Sequence, residues 1–227
     1  DYRDAKGIDL RSEREEYGAR ASVMHTSKGG LFTFTANVAP RIIYRDNADW
    51  GVFKDAIEAN PTTPMMDPEN PARYYNFMGQ VVGSNPVERQ KLEQSKGDTK
   101  LLDWDATVKL NLLPLLAKEG KSNHRLTTQL MFADHQYSNY NSWFCPSTST
   151  IAINNGREGE ASRSYSKDRQ EIIEWLTNYS GSFGQHNVKA MAGYSYQYSR
   201  YSGFNADNKD FPNDGLGADN LGSGEYA

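Results

Sequence analysis

Residues 188–201 read VKAMAGYSYQYSRY. Every even position from Val188 to Tyr198 is apolar or aromatic (Val188, Ala190, Ala192, Tyr194, Tyr196, Tyr198), whereas the odd positions from Lys189 to Ser199 are Lys, Met, Gly, Ser, Gln and Ser. A period of two marks a β-strand, because successive side chains of a strand point to opposite faces. This strand sets small apolar residues and then three tyrosines on one face, and leaves the other face nearly free of apolar groups.

Upstream, DRQEIIEWLTNY (168–179) fits a helix through Ile172, Leu176 and Tyr179, and a strand through Ile173, Trp175, Thr177 and Tyr179. The short turn SGSFGQHN that follows leads straight into the 188–201 strand, and a hairpin needs a strand before its turn, so residues 168–179 are expected as strand. The cleanest alternation lies in DWDATVKLNLL (103–113), with Trp104, Ala106, Val108, Leu110 and Leu112 on one face. A turn expected from about Pro114 to Asn123 joins it to RLTTQLMFADHQYSNY (125–140), where Leu126, Leu130 and Phe132 share a face. Nearer the N-terminus, Tyr17, Ala19, Ala21 and Val23, then Phe32, Phe34, Ala36 and Val38, form a hairpin about a Gly-Gly turn within 26–30.

Six strands are therefore expected, near 14–25, 31–44, 102–113, 125–140, 168–181 and 187–201, paired antiparallel in three hairpins as one curved, open sheet. The segments between hairpins are long. Five of the nine prolines fall between Pro61 and Pro86, so residues 45–100 are expected as a structured loop outside the sheet, with a turn or two of helix carrying Trp50, Phe53 and Ile57 after an Asp49 cap. Residues 141–167 and the Gly/Asn/Asp-rich tail from Asn205 are likewise expected as loop.

Short connections alternating with long ones are what outer-membrane β-barrels show, with tight periplasmic turns and extended extracellular loops. In that setting Val188, Ala190 and Ala192 face lipid, and Tyr194, Tyr196 and Tyr198 form part of a lipid-facing aromatic girdle. A soluble antiparallel sheet with one buried face produces the same period, and that reading stays open. Six strands cannot close a barrel, since the smallest such barrels have about eight, so residues 1–227 are expected to be a fragment.

Several classes are disfavoured by composition. A net charge of −4 and a pI near 5.6, with no Lys/Arg block, argue against nucleic-acid binding. Cys145 is the only cysteine, which excludes an internal disulfide. No run of about 18 apolar residues offers a membrane-spanning helix.

The succession GIDLRSEREEYGARASVMHTSKGGLFTF (7–34), NPTTPMMDPENPARYYN (60–76), NPVER (85–89), FCPSTSTIAINNGREGEASRSYSKDRQ (144–170) and HNVKAMAGYSYQYSRYSGFNADNKDF (186–211) resembles the barrel region of SusC/RagA-type TonB-dependent outer-membrane transporters of Bacteroidetes. The resemblance runs in order over almost the whole chain. It implies a barrel of about 22 strands, plugged by an N-terminal domain and capped by a SusD-like lipoprotein. It further implies import of oligosaccharides or peptides energised by the TonB complex, with the plug, the TonB box and the remaining strands lying outside residues 1–227. A soluble extracellular β-sandwich binding glycans, or a non-transport outer-membrane barrel, are the alternatives.

No G-x-S-x-G, H-E-x-x-H, Walker A or G-x-G-x-x-G pattern occurs, so no enzyme is expected. His25, His124 and His186 each sit beside a short turn, but successive hairpin turns lie about 10 Å apart, too far for a shared metal. Asp210 fails as the first residue of an EF-hand loop because Pro212 and Leu221 fall at ligand positions; no cofactor is expected, with an irregular calcium site of Asp207, Asp210 and Asp214 as the alternative to a solvated loop. Trp50, Trp143 and Phe144 are the candidates for substrate or partner contact, or for pinning their own loops.

Overall fold

The computed structural model describes residues 1–47, 49–116 and 123–225. These form one open antiparallel sheet of eight strands, β1 (Tyr2–Lys6), β2 (Glu13–Gly18), β3 (Ala21–Thr26), β4 (Phe32–Asp46), β5 (Gln94–Asn111), β6 (His124–Cys145), β7 (Glu160–Phe183) and β8 (His186–Lys209). Each pairs with its sequence neighbour, except that β2 and β3 both lie along β4. The all-β, partial-sheet expectation holds, and residues 168–179 are strand.

The expected strand 14–25 is present as β2 and β3, which keep one register against β4: Gly18 faces Arg41 and Ala21 faces Val38. The interruption lies opposite Pro40, which has no N–H to donate to the ladder. Strand β1, all charged residues apart from Tyr2 and Ala5, carries no readable alternation and pairs with β2, Tyr2 opposite Tyr17.

Two short turns follow the expected chemistry. Gly29 and Gly30 between β3 and β4 both adopt positive φ, 85° and 70°, as does Gly184 (61°) in the two-residue connection between β7 and β8. Of the turn expected at Pro114 to Asn123, a short helix α3 (Leu113–Leu116) occupies the start, and residues 117–122 lie outside the described residues.

The strands are longer than expected at the opposite end. Residues 94–101, 141–145, 160–167 and 205–209, read as loop, are all strand. Most of these residues are polar on both faces, and in 141–145 Trp143, Phe144 and Cys145 follow one another without alternation, so no hydrophobic period marks them. The five prolines from Pro61 to Pro86 do stay outside the sheet, but the exclusion zone ends with Pro86, the first residue of helix α2 (Pro86–Leu92), whose cap Asn85 accepts from the N–H groups of Val87 and Glu88. Helix α1 (Val52–Glu58) stands where helical turns were expected; Asp49 accepts from the Gly51 N–H just before it.

Candidate functional site

Because the register runs through β4 to β8 without a bulge among the described residues, side chains of one parity line up in rows across the sheet. One row holds Val23, Ala36, Ala106, Phe132, Ile173 and Tyr196, and the next towards the short turns holds His25, Phe34, Val108, Leu130, Trp175 and Tyr194. Nothing in the described residues covers this face: Leu130 is 54% exposed and Tyr194 64%. Tyr194, Tyr196 and Tyr198 share it, with Trp175 and Ile173 opposite the first two.

The other parity makes a polar face. Ser22 donates to Asn37 (2.7 Å) and Asn37 to Asp105 (2.9 Å), a ladder across three strands. His135 pairs with Asp103, and Arg45 donates to Thr99 (2.9 Å) and Asn139 (2.8 Å). Towards the short turns Lys109, Arg125 and Lys189 line a shallow pocket of about 440 Å³.

A cross-braced layer of loops stands at the long-connection end. Helix α4 (Thr150–Asn154) is capped by Ser149, and the buried carboxylate of Glu88 on α2 accepts from the Thr150 N–H (2.6 Å) and from its hydroxyl. A carboxylate 1% exposed is held there because both oxygens are satisfied. Arg89 joins α2 to the start of α1 through Asp49 and Asp55 (2.5 Å to the latter), Gln90 accepts from the Leu10 N–H (3.0 Å), and Asn76 and Asn154 exchange amide hydrogen bonds. Ile8, Leu10, Val52, Phe53, Ala56, Pro86 and Val87 line an apolar groove of about 190 Å³ on this layer. The motif N-P-x-E in NPVER, an Asn cap followed by Pro at the first helical position and Glu at the third, was the signal for α2 and its anchoring role.

The three aromatic candidates separate. Trp50 is 89% exposed at the loop surface. Trp143 is half-buried, and its indole N–H donates to Glu93 (3.1 Å), whose carboxyl is held above the usual range by burial and drawn back by that hydrogen bond. Phe144 is buried against Phe211 and Ala161, with Ala218 and Leu221 around them. In this arrangement Phe144 presents no face to a ligand, and its role is to seat the C-terminal segment on the sheet.

The acidic tail likewise braces the loops: Asp210 accepts from the Glu158 N–H (2.8 Å) and Asp214 from the Ser147 N–H (3.0 Å) and hydroxyl (2.8 Å), while Asp207 is exposed. Among the described residues no three His, Cys, Asp or Glu side chains are grouped for a metal ion. His25 lies against Phe32, and His124 bonds Tyr179 (2.8 Å), a meeting that depends on Gly181: a Cβ there would fall 2.1 Å from His124 Nδ1.

No protein-family profile and no curated protein matches the chain. Among solved structures, the chain is similar over its whole length to one from the RagAB peptide importer in its closed-closed state, with a TM-score of 0.70 and 14% identity. It spans 25% of that chain's length. The likeness establishes a shared fold: the eight-stranded open sheet matches a quarter of a larger chain.

Proposed function

We propose that this chain is a segment of the barrel of an outer-membrane active transporter that imports nutrient oligomers, oligosaccharides or peptides. The observation that carries the proposal is the division of the sheet into one bare apolar face and one hydrogen-bonded polar face, on strands with short turns at one end and a braced loop layer at the other. A lipid-facing wall around a wet interior uses both faces of such a sheet. Strands β6, β7 and β8, of 22, 24 and 24 residues, exceed the roughly 9–11 residues that cross a bilayer, so their polar halves carry the loop layer beyond the membrane.

In this reading Tyr194, Tyr196 and Tyr198 belong to the outer aromatic girdle, and the loop layer with the exposed Trp50 is where substrate and a SusD-like lipoprotein engage. Energy enters through a TonB complex acting on regions outside these residues. The fold shared with a peptide importer supports the transport reading. The sandwich alternative requires a second sheet packed on the apolar face, and the described residues form a single sheet.

The test is to delete the gene in its host, restore it with an epitope tag, and follow two readouts: heat-modifiable migration of the protein in the outer-membrane fraction, and growth on single peptide or oligosaccharide sources with and without a functional TonB system. Outer-membrane residence with TonB-dependent growth on one source is expected. A tagged protein found in the soluble fraction would overturn the proposal.

A further inference from the structure

Just beyond Tyr198 on the apolar-parity face, towards the long loops, the rows turn cationic. Arg169 lies directly opposite Arg200, and the next row pairs Lys167 with Ser202 and continues through Ser138 to Lys100. Lys167, Arg169, Arg200, Tyr198 and Ser202 line one depression of about 380 Å³ together with Glu171. Arg169 is committed locally: it forks onto the buried Asp134 (3.0 and 3.2 Å) and reaches Glu171 (2.8 Å). Those two carboxylates are thereby satisfied, and Asp134 also accepts from the Trp104 indole (3.2 Å) and Gln136 (2.7 Å). Lys167, Arg200 and Lys100 form no ion pair among the described residues. Like charges on neighbouring strands are unfavourable without a counter-charge, so this arrangement is suited to an anion supplied from outside the chain.

Resting on the membrane reading above, we propose that Lys167 and Arg200, with the Arg169 fork beside them and Lys100 on the flank, form a binding site for the phosphate of a glycolipid in the outer leaflet. Position selects the lipid: the cations stand in the first and second rows outside the tyrosines, at headgroup depth, and on the face whose other occupants are acyl chains. Arginine and lysine reach phosphate oxygens with several donors at once, and the hydroxyls of Tyr198 and Ser202 are in the same depression.

The experiment compares the protein purified in mild detergent and reconstituted into phosphatidylcholine nanodiscs containing a minor fraction of diphosphorylated lipid A or of its dephosphorylated form. Bound glycolipid is read by native mass spectrometry and by titration. Wild type should prefer the phosphorylated form, and Lys167→Gln with Arg200→Gln should weaken its binding roughly thirtyfold, as the loss of two juxtamembrane charges predicts. Lys189→Gln, the loss of one charge on the polar face, should leave binding unchanged. In wild type, which needs no substitution to fold, the preference should fall as salt rises. Equal retention by wild type, the double variant and Lys189→Gln would overturn the site while leaving the barrel reading intact. Inorganic phosphate competing as strongly as the lipid would overturn the lipid assignment. Wild type that reconstitutes into no nanodisc would overturn the barrel reading itself.

Discussion

Arginine placed on each face of β8 tests the division of the sheet directly. The apolar run of even positions from Val188 to Tyr198 covers ten residue steps. At about 3.3 Å per residue and a strand tilt near 40°, this run spans a height of about 25 Å, the height of the apolar band on an outer-membrane barrel. Ala192, four steps in, then sits about 10 Å from one boundary, close to the midplane, where an arginine costs about 2–4 kcal/mol. Ala192→Arg should therefore reduce the equilibrium for assembly by roughly thirtyfold or more, visible as loss of the heat-modifiable folded form. Ser195 faces the other way, and its hydroxyl lies 3.4 Å from Glu174 on β7. An arginine at 195 gains that carboxylate as a cross-strand partner, worth about 0–1 kcal/mol in a wet setting, so Ser195→Arg should assemble like wild type and alter uptake per folded molecule. Equal assembly loss for the two variants would refute the face assignment and with it the barrel.

Three further outcomes follow from the loops and the turn end. Glu88→Ala removes two hydrogen bonds to a buried carboxylate and orphans the Thr150 N–H and hydroxyl; at about 1.5–3 kcal/mol for each such bond, the 47–93 and 146–159 loops should come apart, read as faster proteolysis and hydrogen exchange there with strand β6 unaffected. Glu93 has its carboxyl raised by burial, so the docked loop binds that proton more tightly than the free loop does: this contribution is full below the ordinary glutamate range and is lost as pH rises through the raised value, and Glu93→Gln should flatten that part of the pH profile of loop protection. Gly181→Val should displace His124 from Tyr179 and cost about 1–3 kcal/mol, measured as a lower unfolding temperature of the folded form, whereas Gly83→Ala, where a Cβ meets nothing within 4 Å, should leave that temperature unchanged. An unchanged unfolding temperature for Gly181→Val would show that the His124 ring does not occupy that space.

The apolar half of this protein was written into its sequence, and the polar half was not. Alternation at 103–113 and 188–198, the Gly-Gly turn and the short turn after Phe183 determined the strands, their antiparallel order and the face on which the tyrosines stand, because a half-apolar strand imposes its period on the chain. Residues 94–101 and 160–167 are polar on both sides, so their strand character comes from ladders begun lower down and continued in the same register, which no local pattern records. Trp50, Trp143 and Phe144 were equivalent as aromatic residues in loops; only packing made one exposed, one a donor to Glu93 and one a buried anchor. The same holds for the cations: Lys167, Arg169 and Arg200 are spread over 34 residues of sequence, and it is the pairing of β7 with β8 that gathers them in two adjacent rows of one face. Local periodicity determines which way a side chain points, and long-range register determines beside what.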